Sequence, residues 1–154
     1  MNRTEFYALC NSIGEEVDRM LPDFLAVPED FAIGHGNVVL YIMNDAGDSV
    51  VRAWGPDRVR LRGTTLVATK KALQVWLTGY ATLKYEQLVF SGKVEANHGI
   101  SHPDMLGWEG GLEAKTIGGE RLVFGFSGMR GEQDTGIVRK AAANLKSFTV
   151  VDHD

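Results

Sequence analysis

Six consecutive apolar residues, Val38-Val39-Leu40-Tyr41-Ile42-Met43, constrain this chain more than any other stretch. Most are β-branched or aromatic, so they favour extended backbone, and successive side chains then point to opposite faces of a sheet. Both sets are apolar, so both faces of that sheet must be covered. The rest of the chain has to supply a second strand beside this one and a layer on each side. Asn44 to Asp48 has the composition of a turn, and Ser49-Val50-Val51-Arg52-Ala53-Trp54 returns as the second strand of a hairpin that Gly55-Pro56 ends.

The covering layers are expected from three amphipathic segments. Thr4 to about Leu21 places Phe6, Cys10, Ile13, Val17 and Met20/Leu21 at helical spacing, with Thr4 as the expected N-cap. Pro22 to Asn37 carries two prolines and two glycines and is expected to be a loop. From about Gly63 to Thr78, Leu66, Leu73, Trp76 and Leu77, with small Ala68 and Ala72 between them, describe a helix buried over much of its circumference beneath the sheet. Gly79 is placed to close that helix in the left-handed region, and Thr82 to cap a shorter one through Leu83, Glu86, Gln87 and Phe90.

Ser91 to Gly111 loses periodicity and holds five glycines, two histidines and a proline. Connections of that length are usually functional. Leu112 to Ile117 and Glu120 to Phe126 then flank Gly118-Gly119, a pair suited to the positive φ angles of a tight hairpin turn. The last helix puts Ile137, Val138, Ala141, Ala142 and Leu145 on one stripe. The expected order is α-ββ-αα-ββ-α, an α+β domain with an antiparallel sheet flanked by helices.

The 154 residues suit a single domain, 1–154, with the N-terminal part up to residue 37 the least constrained. A formal charge of −4 without a basic cluster excludes a nucleic-acid groove. No run has the length of a membrane span, and the start Met1-Asn2-Arg3-Thr4-Glu5 has no secretory pattern. Cys10 is the single cysteine, expected to be a buried thiol on the first helix in a reducing compartment, so a cytoplasmic protein is expected.

Several blocks in order carry a resemblance: Asn44-Asp45-Ala46-Gly47, the Lys-Lys-Ala of Lys70 to Ala72, Gly79-Tyr80-Ala81-Thr82, Gly110-Gly111, and Phe124-Gly125-Phe126-Ser127-Gly128-Met129-Arg130-Gly131-Glu132-Gln133-Asp134. The final block is the most specific. Together they resemble the GlcG/HbpS-like family, often labelled haem-degrading, over roughly residues 38–145. The resemblance implies a profilin-like layered domain that assembles into homo-oligomers. It also implies binding of haem or a corrinoid-related partner in some members, while others stand beside catabolic enzymes. The chain departs from the family at Trp54-Gly55-Pro56-Asp57, where only the aspartate corresponds, at Arg130, where a small residue is usual, and between Lys93 and Trp108.

Candidate functional groups gather in the long loop and at the start of the last helix. His98 and His102 are candidates for a metal or haem ligand, or for an acid or base, with Asp104 or Glu109 nearby; two solvated loop residues are the alternative. His35, between glycines, and His153, near the end, are weaker candidates. Glu132 and Asp134 fall in the first turn of the last helix, where carboxylates suit the helix dipole; either could instead face a ligand as a base. Arg130 calls for a carboxylate, from one of these two or from a ligand. Trp108 could stack on a flat molecule, and Tyr80 and Lys84 are further ligand-binding candidates. The Ser127 surroundings do not form a nucleophile elbow, and no P-loop, zinc ribbon, EF-hand or dinucleotide fingerprint is present.

Three functions fit these residues. The first is a small-ligand-binding protein of the haem-binding type, with haem the candidate cofactor. The second is a cofactor-free lyase, isomerase or hydratase of a catabolic pathway, using His98 or His102 with Glu132 or Asp134 as acid and base. The third is an assembly subunit that forms stable oligomers without a saturable ligand.

Overall fold

The computed structural model describes residues 1–94 and 105–152. The elements run α1 (Arg3–Leu25), α2 (Pro28–Gly34), β1 (Val38–Asn44), β2 (Ser49–Trp54), α3 (Arg58–Thr78), α4 (Thr82–Phe90), β3 (Gly111–Thr116), β4 (Arg121–Ser127), α5 (Gly131–Leu145) and β5 (Phe148–Val151). The strands form one antiparallel sheet in the order β2-β1-β4-β3-β5. The fold is α+β, with the expected elements in the expected order and two additions, α2 and β5.

Strand β1 is internal, paired with β2 on one side and β4 on the other, and buried on both faces as its composition requires. One face carries the larger core. Phe6, Ile13 and Val17 of α1 and Ile137, Val138 and Ala141 of α5 pack there with Leu40, Ile42, Leu122, Phe124 and Phe126 of the sheet. Cys10 is buried in this layer, and its surroundings push the thiol up to about 12, which leaves it unreactive.

The other face is covered by α3. The buried side of this helix is not the leucine row expected from the sequence: Leu66, Leu73 and Leu77 are exposed, and Ala68, Lys71, Ala72, Gln74 and Val75 face inward. The cause lies in the sheet. A methyl group on Gly125 of β4 would sit 1.9 Å from the Ala68 carbonyl oxygen, so the α3 backbone lies almost directly on the strand and only small residues fit between them.

Smaller corrections concern helix ends. Asn2, not Thr4, caps α1, through a reciprocal box in which the Asn2 side chain accepts from Glu5 N and the Glu5 carboxylate accepts from Asn2 N. The helix continues through Pro22 to Leu25, and part of the expected loop is α2, with Pro28 at its start. Helix α3 begins earlier than expected, capped by Asp57 accepting from Arg60 N at 3.0 Å. Gly79 closes it with φ 78°. Thr82 does not cap α4; Ala81 is the cap residue.

The β3–β4 turn also differs from the expectation. Gly119 N donates to Thr116 O and Thr116 N donates to Glu120 O, which makes a three-residue loop with Gly119 at φ 86°. Gly118 has no positive φ. The β1–β2 turn repeats the pattern around Gly47.

Candidate ligand cavity beside a buried ion pair

Strand β4 ends at Ser127, and Gly128-Met129-Arg130 carries the chain into α5. Beside this junction α2, α3, the start of α4 and residues 107–109 enclose a cavity of about 720 Å³. That volume is in the range of small-molecule sites.

Two buried groups of opposite charge line the cavity. Lys71 of α3 and Asp134 of α5 are each about 2% exposed. Lys71 Nζ donates to the Phe126 carbonyl at 2.9 Å and to Asp134 Oδ2 at 3.3 Å, and Asp134 Oδ1 accepts from Met129 N at 2.9 Å. An ammonium has three hydrogens to give, and these contacts use two. Burial raises the Asp134 carboxyl to about 7, against the opposing pull of Lys71 and the Met129 N–H. Burial likewise lowers the Lys71 ammonium, partly offset by Asp134 and Glu109. The site therefore holds a carboxyl group able to exchange a proton near neutrality, next to a desolvated amine.

The walls are set by Asn37 and Gln74, which the sequence reading did not single out, and by Thr82, expected from the sequence as a helix cap. Asn37 Nδ2 donates to Gly34 O at 2.9 Å and its Oδ1 accepts from Asp57 N at 2.9 Å, which ties the end of α2 to the cap of α3. The Gln74 side chain pairs with both backbone groups of Leu106, at 2.7 and 2.8 Å. Thr82 donates its hydroxyl hydrogen to Trp108 O and accepts from Gly111 N. These bonds hold the return of the long loop against α3 and α4, and so place Trp108 and Glu109 at the cavity.

The sequence candidates separate accordingly. Trp108, Glu109, Arg130 and Asp134 meet at the cavity. Trp108 is 63% exposed, so its ring forms rim rather than floor. Arg130 pairs with Asp30 of α2, at 2.8 and 3.2 Å, and more loosely with Glu132 at 3.7 Å; its main carboxylate is neither of the two expected from the last helix. Those bonds hold the buried Asp30 carboxyl below the usual range. Glu132 is exposed and does not line the cavity. Tyr80 stacks on Tyr85 with centroids 6.3 Å apart, and Lys84 lines a separate cavity of about 360 Å³ with Gln87 and Arg139. His35 ends α2 with φ 50°, its ring edge-on to Phe31. His98, His102, Asp104 and His153 lie outside the described residues. Among the described residues no three His, Cys, Asp or Glu side chains gather as a metal site, and no helix is long and apolar enough to cross a membrane.

Lys71 is the principal residue missed. Its signal is the spacing of Ala68, Lys71, Ala72 and Val75, which puts the lysine on a stripe of small residues. Large leucines on the other side of the helix masked that stripe.

No family model matches this chain, and no curated protein matches it. Solved structures share its architecture. A PduOC:heme complex aligns over 100% of this chain and 99% of its own, with TM-score 0.63 and 20% identity. The Klebsiella pneumoniae protein ORFY, of the DUF336 family, aligns over 90% of this chain and 88% of its own, with TM-score 0.67 and 15% identity. HbpS aligns over 87% and 84%, with TM-score 0.56 and 17% identity. The fold is that of the GlcG/HbpS-like proteins.

Proposed function

We propose that this protein is a GlcG/HbpS-like small-ligand-binding protein whose site is the cavity at the β4–α5 junction. The observation that carries this reading is the pairing of cavity and charge: about 720 Å³ with Ile33, Val67, Leu83 and Met129 among its apolar lining, and Arg60, Lys71 and Arg130 as its cations. Such a lining suits an amphipathic organic anion with a flat body, on whose face Trp108 can stack.

Haem is the first candidate, since one structural neighbour is a heme complex. The cavity matches it in size, in apolar wall and in cations for the propionates. Among the described lining residues Met129 carries the one thioether, with no imidazole, thiolate or phenolate beside it, so Met129 would be the side chain to hold the iron. Arg60 and Arg130 would hold the propionates and Trp108 would cover the ring. When bound, haem supplies iron-centred redox chemistry; the chain's own part is to shield the ring from water and fix its edge. Titration with haemin should give a sharpened Soret band that saturates near one haem per chain, and Arg60→Ala should weaken it. Broad, non-saturating absorbance would remove haem as the ligand.

A second reading, a cofactor-free acid–base enzyme, is favoured by Asp134, whose carboxyl titrates near 7 beside Lys71. In that reading Asp134 takes the part of the base, and exposed Glu132 does not. Self-association into a homo-oligomer accompanies either function. Val59, Leu66, Leu73 and Leu77 form an exposed row along the outer side of α3, suited to a second copy of the chain. Light scattering should give at least a dimer at micromolar concentration, and Leu73→Glu should shift it to monomer.

A further inference from the structure

Among the described residues Lys71 is the only buried lysine, and it lines a cavity open to small molecules. A structural lysine would ordinarily reach solvent with its charged end. Here the amine is held between a carbonyl and a carboxyl group, with Asp134 3.3 Å away. Arg60 stands about three turns earlier on the same helix and lines the same cavity; its guanidinium donates to Ile33 O at 2.8 Å, and Asp57, the carboxylate three positions before it, is occupied as the α3 cap. Along an α-helix the two positions are about 16 Å apart. Val67 lies between them on the helix and lines the same cavity.

We propose that Lys71 forms an imine with an aldehyde or ketone that carries a carboxylate at the far end of a short apolar body, Arg60 holding the carboxylate and Asp134 moving the protons. This deepens the second reading above and rests on the cavity being a ligand site.

The step balances without an oxidant or a metal. The Lys71 ammonium gives a proton to the Asp134 carboxylate. The free amine attacks the carbonyl carbon, the carbonyl π bond opens, and one nitrogen proton moves to that oxygen. The neutral carbinolamine then takes the proton back from Asp134 at its hydroxyl, the C–O bond breaks, and water leaves. The product is a protonated imine beside a regenerated carboxylate. The buried setting favours the neutral amine the attack needs, and a carboxyl that titrates near neutrality suits both proton transfers.

The test uses the full chain with 4-carboxybenzaldehyde as probe and sodium cyanoborohydride to reduce and trap the imine. At neutral pH, peptide mass mapping should find the adduct on Lys71 ahead of exposed lysines such as Lys115, and Lys71→Arg should abolish that adduct while keeping the native circular dichroism. Arg60→Ala should slow labelling by 4-carboxybenzaldehyde by about tenfold, and labelling by benzaldehyde, which has no carboxylate to hold, far less. Adducts spread over surface lysines with Lys71 spared would overturn the proposal. Quenching of tryptophan fluorescence by terephthalate, which has no carbonyl to condense, separates the two levels. Saturable quenching without Lys71 trapping defeats the imine alone, and neither signal defeats the cavity reading as well.

Discussion

Arg130 and Asp30, a hundred positions apart in the chain, meet in a two-pronged ion pair with Nε to Oδ1 at 2.8 Å and a terminal nitrogen to Oδ2 at 3.2 Å. The pair docks α2 onto the start of α5 and closes one wall of the cavity. Arg130 is 39% exposed, whereas Asp30 is 1% exposed and depends on this partner for its charge.

The first prediction concerns acid. Hydrogen bonds from Arg130 lower the Asp30 carboxyl in the folded state. A depressed carboxyl stabilises the fold above the ordinary value of about 4, and that contribution is lost as pH falls through the folded value. Asp30→Asn should therefore lower the melting temperature at pH 7 and flatten its decline below pH 4. An acid limb identical to that of the wild type would show that the pair contributes nothing.

The second concerns the opposite shift. Asp134 is raised to about 7, so between about pH 4 and 7 the folded state holds a proton that the unfolded chain has released. Stability should then fall as pH rises through that window, by a few kcal/mol. Urea midpoints measured across the window should slope downward for the wild type and stay nearly flat for Asp134→Asn. Equal slopes would mean that another group titrates there.

The two turn glycines should behave differently. Gly119 has φ 86° and Gly118 does not have a positive φ. Gly119→Val should cost more than about 1 kcal/mol, because a β-branched residue is strained in the left-handed region. Gly118→Val, in open and exposed backbone, should shift the denaturation midpoint far less. Similar losses at both positions would contradict the three-residue loop.

His98 and His102, candidates from the sequence alone, supply a fourth test. A role in the site predicts that replacing either with Ala abolishes ligand binding or activity and leaves the melting temperature nearly unchanged. Full haemin affinity in both variants would confine the site to the β4–α5 junction.

Local patterns made most of the fold legible. The double-sided apolar run identified an internal strand, and the Phe6, Cys10, Ile13 and Val17 spacing identified α1, because each signal lies within one element. The Pro22–Asn37 segment misled because α1 runs on through Pro22 despite the proline, and Pro28 stands at the start of α2, where proline is favoured. The inward face of α3 was hidden for a different reason. It is dictated by Gly125, some fifty residues further on, and no local periodicity carries that information. The site followed the same division. Asp134, Trp108 and Glu109 were visible as chemical groups in suggestive places, whereas the Lys71–Asp134 and Arg130–Asp30 pairings exist only once distant segments pack.

Gly125 also governs a residue it does not need to touch. Lys71 follows Ala68 by three positions, so the lysine's depth is fixed by how closely α3 rests on β4. A methyl group at Gly125 would act as a shim under the helix, lifting the Lys71 amine away from Phe126 O and Asp134 together. The depth of the amine is thus gauged by an absent atom, which makes a bare position in the sheet a determinant of the ion pair above it.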